Sequence, residues 1–345
     1  MTWEQGILRR ILDRKLVLRW ISVGLVAILF VFLAAIAAQR ALAFPPYPDG
    51  SRRIVIIVPF SAGGSNDILA RAIGQKLSDA WHLPVIIENH VGASGSLGAA
   101  RAAQAAPDGY TLLILSSTYT INSAVMAQLP FDPKTSFAPV AMLGKGPMML
   151  AASKIFPVHN AQELIALARA KPGMLNYGSA GVGSANQMTM ELFKSLANLD
   201  IKHVPYRSGN AAVNDLIGGH LDMFVGSLPQ MIAMARAGSA TGIAVTGSRR
   251  ATAIPELPTL AESGVPSYEF EQWWGIVVPA GTPRDVVETL NTEINHILTT
   301  PEIEAFMANE GAEPAPSTPQ ALGQHISLEL QRWTELVQRA GLKEQ

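Results

Sequence analysis

From Arg53 onward the chain alternates short aliphatic runs with amphipathic stretches bounded by Gly, Pro and Asp, the pattern of strand–helix–strand units. Ile54-Val55-Ile56-Ile57-Val58 is apolar at every position and predicts a strand buried on both faces, as in a parallel sheet. A helix is expected over Asp67 to Ala80, a strand at Val85-Ile86-Ile87, a helix over Gly95 to Ala105 and a strand at Leu112-Leu113-Ile114-Leu115. A second set starts with the strand Met148-Met149-Leu150 and the helices 161–170 and 188–196. It continues through a strand around Lys202-His203-Val204, a helix over 211–217, a strand over 221–225, a helix over 229–236 and a strand over 242–245. The stretch from Thr246 to Phe270 is irregular, with prolines at 255, 258 and 266. A last strand over 275–278 leads through Pro279-Ala280-Gly281-Thr282-Pro283 into helices over 285–298, 301–309 and 319–340. The fold class is α/β, and no fixed-period repeat is present.

Two such sets, with a strand and helices left over at the C-terminus, predict two lobes between which the chain crosses and returns. The crossings fall near Gly144–Gly146 and near Ser267–Phe270, giving a first lobe of 44–145 plus 268–345 and a second of 146–267.

The first 43 residues follow a different pattern. Arg9, Arg10, Arg14, Lys15 and Arg19 precede an uncharged run from Ile21 to Ala38, and Ala41 and Ala43 fit the small-residue rule for a cleavage site. This reads as an export signal cut after Ala43, with Pro45-Pro46 breaking the chain behind it. The competing reading is an uncleaved membrane anchor, because the 18 residues from Ile21 to Ala38 exceed the usual signal core of roughly 7–15 and approach the roughly 20 that span a bilayer.

Composition narrows the chemistry. With 345 residues the chain is long enough for about two domains, and its 26 Lys+Arg against 27 Asp+Glu leave no basic excess for a nucleic acid. Residues 1–43 hold six of the basic and two of the acidic residues, so the remainder carries 20 against 25, a net −5. There is no cysteine, which excludes thiolate catalysis, disulfides, Cys-ligated zinc and lipoprotein acylation.

Val58-Pro59-Phe60-Ser61-Ala62-Gly63-Gly64-Ser65-Asn66-Asp67 joins the first strand to the first helix. A glycine pair lets the backbone turn tightly with its N–H groups outward, and a helix start adds partial positive charge, so this loop has the parts of an anion site. It lacks the Lys-Ser/Thr ending of a P-loop and the spacing of G-x-G-x-x-G, which disfavours a nucleotide. A plain turn capped by Ser65, Asn66 or Asp67 accounts for the same residues. Tyr177-Gly178-Ser179-Ala180-Gly181-Val182-Gly183-Ser184-Ala185-Asn186-Gln187 repeats the same parts in the second set. Two such loops, one per lobe, can face each other across a cleft and hold the two ends of one small anion.

Other constellations favour structural readings. Gly92-Ala93-Ser94-Gly95 offers a third donor loop, and Glu88-Asn89 ends a strand where a side chain can bond a neighbouring loop. No serine lies in G-x-S-x-G, and the seven histidines form no H-E-x-x-H or H-x-x-x-H pair, so neither a nucleophile elbow nor a common zinc site is present. Ser61 and Ser184 are the serines that hydrolysis would have to use. Asp215 and Asp222 flank a Gly218-Gly219 turn and fit a helix residue and a strand start better than paired-carboxylate catalysis. Trp273-Trp274 suits pocket walling and hinge packing equally.

Taken together, the residues resemble one family, the substrate-binding proteins of tripartite tricarboxylate transporters, often called Bug receptors. The resemblance is carried by Val58-Pro59-Phe60-Ser61-Ala62-Gly63-Gly64 with Asp67 and Arg71, Glu88-Asn89 with Gly92-Ala93-Ser94-Gly95, and Pro107-Asp108-Gly109-Tyr110. It continues through Leu129-Pro130-Phe131-Asp132-Pro133, Lys171-Pro172-Gly173, His203-Val204-Pro205-Tyr206, Asp215-Leu216-Ile217-Gly218-Gly219 and Pro279-Ala280-Gly281-Thr282-Pro283. These run in order from about Tyr47 to the C-terminus.

The resemblance implies a two-lobed periplasmic binding protein of the Venus-flytrap type, doubly wound with a hinge, that closes on a small carboxylate and presents it to the permease subunits of such a transporter. It implies no enzyme activity, no cofactor, no metal and no nucleic-acid partner. Its ligand is held largely by backbone N–H groups and waters from the two loops. Carried onto this chain, the binding candidates are Ser61, Ala62, Gly63, Gly64, Asn66 and Asp67, and Ser179, Gly181, Gly183, Ser184 and Gln187. Asp67 is expected to organise its loop without meeting the anion. The chain departs from the family at Asn66 (usually Thr), Gln187 (usually His), Ser208 (usually Gly) and Gly226 (often Asp), the last of which weakens a claim to amino-acid ligands. A periplasmic sensor that reports occupancy to a signalling partner is the alternative function, since the same fold serves both.

Overall fold

The computed structural model describes residues 47–340 and, before them, Phe32 alone; the export segment expected over 1–43 otherwise lies outside the described residues. Residues up to Asp49 form a unit of their own, and the description that follows concerns the compact unit from Gly50 onward.

The chain runs β1 (Ile54–Val58), α1 (Ser65–Trp81), β2 (Val85–Asn89), a short 3-10 turn at Ala93–Gly95, α2 (Ser96–Ala103), β3 (Thr111–Ser116), α3 (Ser117–Val125) and β4 (Phe137–Ser153). Then come α4 (Ala161–Ala170), β5 (Asn176–Ser179), α5 (Ala185–Ala197), β6 (Lys202–Pro205), α6 (Gly209–Gly218), β7 (Met223–Ser227), α7 (Leu228–Arg236) and β8 (Ala240–Val245). The return passage is β9 (Glu271–Pro279), followed by α8 (Arg284–Leu298), α9 (Pro301–Asn309), the two-residue β10 (Glu313–Pro314) and α10 (Pro319–Ala340).

β1 pairs in parallel with β2 and β3, as its all-apolar sequence requires; β9 then lies antiparallel to β3, and the first part of β4 antiparallel to β9. After Pro147, β4 leaves β9, and Met148–Ser153 runs antiparallel between β7 and β8, with β5 and β6 parallel beyond β7. Each lobe therefore has a mixed sheet. A strand that carries the chain out and one that brings it back must run in opposite directions, which the parallel pattern of the sequence does not reveal.

Side chains alternate across the second sheet, and both faces are covered. Met148, Leu150 and Ala152 of β4, with Met223 and Val225 of β7, enter one core cluster, while Met149, Ala151 and Phe224 enter the other. The first cluster also takes Trp333 and Val337 from α10, so the last helix packs across onto the second sheet.

β4 and α3 depart furthest from expectation. β4 begins at Phe137, not Met148, because Gly144 and Gly146 admit a neighbouring backbone: a Cβ there would lie 2.6 Å from Glu313 O and 2.8 Å from Gly311 O, respectively. α3 is built from Ser, Thr, Tyr and Asn, residues of weak helix propensity, and it holds its shape by burying Ile121 and Val125.

Thr246, fully buried, ties the two passages together. Its Oγ1 accepts from Met148 N at 2.7 Å and donates to Phe270 O at 2.8 Å, while its backbone bonds Met148 O and Phe270 N. Thr246→Val keeps the shape and leaves a buried N–H and a buried C=O unmatched, each costing about 1–3 kcal/mol. The variant should lose about 2 kcal/mol or more of unfolding free energy in urea; an unchanged midpoint would show that this tie is dispensable.

Candidate functional site

One pocket, about 430 Å³ of space that opens to solvent, collects the ends of several strand-to-helix turns. After β1 it is lined by Phe60, Ser61, Gly64, Ser65 and Asn66; after β3 by Ser116 and Thr118; after β5 by Ala180, Ala185 and Asn186. Gly209 and Asn210 at the start of α6, Ser227 and Gln230 after β7, and Gln272 on β9 complete the lining. The starts of α1, α3, α5, α6 and α7 thus converge on one space, at the carboxyl ends of the strands. First-turn N–H groups have no partner within their own helix and carry the positive end of its dipole, so this is an anion-attracting surface. No ionisable side chain lines it.

In the first loop the carboxylate of Asp67, almost wholly buried, is the organiser. Its Oδ2 accepts from Gly63 N at 2.9 Å and Arg71 Nε at 2.8 Å, and its Oδ1 from Arg71 Nη2 and Asn89 Nδ2, both at 2.9 Å. Asn89 also donates to Phe60 O, so the end of β2 fastens the loop. Burial pushes the Asp67 carboxyl up, but the hydrogen bonds from Arg71, Gly63 and Asn89 together outweigh it and hold the group below its ordinary value. Gly63, at φ +79°, has its N–H committed to Asp67, and Ala62 presents its carbonyl to Asn210 Nδ2 across the cleft at 2.6 Å. Neither residue lines the pocket, whereas Ser61, Gly64 and Asn66 do.

Ser65 and Asn66 are the donors of this wall. The Trp274 indole N–H, which can only donate, reaches Ser65 Oγ at 3.2 Å, leaving the hydroxyl proton of Ser65 to be given elsewhere. Asn66 Nδ2 is buried and has no hydrogen-bond partner among the described residues. An orphaned donor in a polar pocket is what a bound acceptor would satisfy.

The second loop reaches the pocket through Ala180, Ala185 and Asn186. The five residues expected there, Ser179, Gly181, Gly183, Ser184 and Gln187, are engaged in the loop's own bonds. Ser179 Oγ accepts from Gly181 N at 3.1 Å and meets His203 Nε2 at 2.6 Å; Gly183 N donates to Gln187 Oε1 at 2.7 Å; Ser184 Oγ donates to Gly181 O at 2.7 Å and caps α5 by accepting from Gln187 N. Gly181 and Gly183 have φ of +111° and +75°, and a Cβ at either would lie 2.9 Å from Ser94 Oγ or Asn122 Oδ1, so their glycines serve close approach. Burial pushes the imidazole of His203 down, which keeps it neutral beside Ser179.

The lining residues absent from the sequence reading are Ser116, Thr118, Gly209, Asn210, Ser227, Gln230 and Gln272. All but the two glutamines sit at strand-to-helix turns, a signal that extends beyond the two glycine-rich loops; Gln230 and Gln272 carry no sequence signal.

The other constellations are structural. Ser94, in the third glycine-rich turn, donates to Val182 O of the second loop at 2.6 Å. Asp215 accepts from Tyr206 OH and Asp222 from Asn176 N. Trp273 and Trp274 are both buried. A Cβ at Gly226 would lie 2.7 Å from Met231 and Phe224, so this strand has no room for an acidic side chain as it stands. Among the described residues no helix is long and apolar enough to cross a membrane, and no group of metal-ligating side chains gathers.

Because Asp67 is held below its ordinary value of 3.8, its stabilising contribution is complete above that pH and is lost as pH falls through the lower folded value. Asp67→Asn should therefore be less stable than the parent at pH 7, with the gap narrowing at pH 3. A constant gap in urea unfolding across that range would contradict this.

Residues 69–342 match the family described as tripartite tricarboxylate transporter family receptor. BugT of Bordetella pertussis is 32% identical over 321 residues, covering 92% of this chain and 98% of BugT. A Rhodopseudomonas palustris protein solved with adipate is 34% identical with a TM-score of 0.82, covering 86% of this chain and 98% of its own. MatC from Rhodopseudomonas palustris, solved with bound malate, is 30% identical with a TM-score of 0.79, covering 84% and 100%. The fold is that of the two-lobed periplasmic binding proteins of this type. A chain matched over most of its length by this family, with its strand ends gathered at one charge-free, donor-lined cleft, belongs to the tripartite tricarboxylate transporter receptors.

Proposed function

We propose that this receptor captures a small carboxylate between its lobes, 44–145 plus 268–345 and 146–267, and hands it to the membrane permease subunits of its transporter without chemical change. The convergence of helix starts on a pocket free of ionisable groups carries this reading. Neutral N–H dipoles replace the hydration of the anion, so neither an arginine clamp nor a metal is needed. The relatives solved with adipate and malate support a carboxylate ligand. The bonds Asn210 Nδ2 to Ala62 O and Ser94 Oγ to Val182 O join the two lobes across the cleft, and they fit a mechanism in which a ligand touching both walls stabilises the closed form.

Within this reading the ligand meets Ser61, Ser65, Asn66, Ala185 and Asn186 directly, and the remaining residues of the two glycine-rich loops hold the shape of those walls. The receptor acts in the periplasm after removal of 1–43.

A thermal-shift screen of the purified protein against mono-, di- and tricarboxylates is the direct test. A ligand at 100 times its dissociation constant should add about 2.7 kcal/mol of stability; no shift with any carboxylate would remove the reading. Asn66→Ala should weaken the best ligand by about 10- to 100-fold, the worth of one hydrogen bond to a charged group, with ligand-free stability unchanged. Equal affinity in that variant would take Asn66 out of the site. Intact mass of the exported protein should correspond to residues 44–345, and a mass that retains residues 1–43 would establish an anchor instead.

A further inference from the structure

We infer that Trp274, which lies outside the lining of the pocket, is a positioning residue for the ligand: its indole N–H turns the Ser65 hydroxyl into a fixed donor aimed at the bound carboxylate. The inference rests on the carboxylate reading above and adds to it a residue that does not touch the anion.

Successive residues of β9 face opposite sides of the sheet. Trp273 enters the cluster that holds Leu322 and Ile326, stands edge-on to His325 with ring centroids 4.9 Å apart, and has an indole N–H without a partner among the described residues. Gln272 and Trp274 share the other side and aim two donors at one hydroxyl. Gln272 Nε2 lies 3.5 Å and Trp274 Nε1 3.2 Å from Ser65 Oγ. All three residues are buried, Trp274 completely. Its backbone stands in register with Ser116 of β3 and Gly144 of β4, so the strand that carries the indole is held on both edges.

Ser65 is the first residue of α1 and does not cap it; the cap position is Gly64, and no side chain closes that helix start. A hydroxyl has two lone pairs and one proton. The indole can only donate and takes one lone pair, and the Gln272 amide nitrogen takes the other, which leaves Gln272 Oε1 as a free acceptor beside it. What remains of Ser65 is the proton, and no described residue accepts it. Ser65 lines the pocket where the unpaired first-turn N–H groups of α1 already favour an acceptor. An unrestrained hydroxyl would divide itself among about three staggered positions, and the indole removes that freedom before the ligand arrives. Once Ser65 donates to a carboxylate, the indole bond behind it is polarised and strengthened in turn.

The test is a double-mutant cycle, read by calorimetric titration of the purified protein with the tightest binder among acetate, malate, adipate, citrate and benzoate. Ser65→Ala should weaken binding about 10- to 100-fold, the worth of one hydrogen bond to a charged group. Trp274→Phe keeps an aromatic ring and removes the N–H. It should weaken binding about three- to tenfold in the parent and less than about twofold in the Ser65→Ala protein. No loss, or an equal loss in both backgrounds, would mean that Trp274 acts at most through the shape of the wall. Unchanged affinity of Ser65→Ala would mean that the Ser65 proton goes to the Gln272 amide oxygen. Each of these results overturns the inference and leaves the carboxylate reading standing, whereas no binding of these ligands or of a wider panel of mono-, di- and tricarboxylates would overturn both. A second measurement does not need Trp274→Phe to fold. With the tryptophans of the parent labelled with nitrogen-15, the Nε1–H signal that Ser65→Ala displaces most should move downfield as the carboxylate is added, and a stationary signal would overturn the inference.

Discussion

The two passages between the lobes run in opposite directions, and the rest of the architecture follows from that constraint. β4 leaves the first sheet at Pro147 and β9 re-enters it at Glu271, paired antiparallel with each other on the first-lobe side. Thr246 grips the outgoing strand at Met148 and the returning chain at Phe270 through one buried hydroxyl. The two passages are held together at this node, by the antiparallel β4–β9 ladder and by the Lys145–Glu271 ion pair, with α10 packed across onto the second sheet beside them. The parallel strands of both sheets then end toward the same space, and their helices begin there.

That geometry explains how an anion site arises with no cation in its lining. One helix start offers a few unpaired N–H groups at the positive end of a dipole. Five starts around one pocket multiply the donors without adding a charge that would itself need a counter-ion when the site is empty. The fixed charges lie one step back: Asp67 and Arg71 form a pair that sets the shape of the first loop and leaves its donors to others.

Much of this was legible in the sequence. The apolar run at β1 and the Gly, Ser and Asn turns announced parallel strands feeding helices, and the division into two α/β sets anticipated two sheets. α8, α9 and α10 lie within a residue of expectation because Pro301 and Pro319 mark two of their starts and the apolar period is clean. β4 was half hidden because its glycines and prolines read as a loop, although they exist to let Gly311 and Glu313 approach. α3 was hidden because local propensity speaks against it and tertiary burial overrides that preference. Within the second loop, the glycines and hydroxyls that drew notice shape the turn, whereas the plainer Ala180, Ala185 and Asn186 line the space. Composition marks where a backbone must bend sharply, and the residues that meet a ligand are the neighbours which that bend exposes.

The missing charge in the pocket also governs how the receptor meets its surroundings. A protein of net −5 beyond residue 43 has no long-range attraction to offer an approaching anion, and dipoles act only at contact. Attraction between exposed charges fades within about 8 Å at physiological ionic strength, but hydrogen bonds inside a closed cleft are barely screened. Salt therefore screens only the repulsion that the net negative chain offers on approach, and it leaves the hydrogen bonds that hold an anion in the closed cleft largely unchanged.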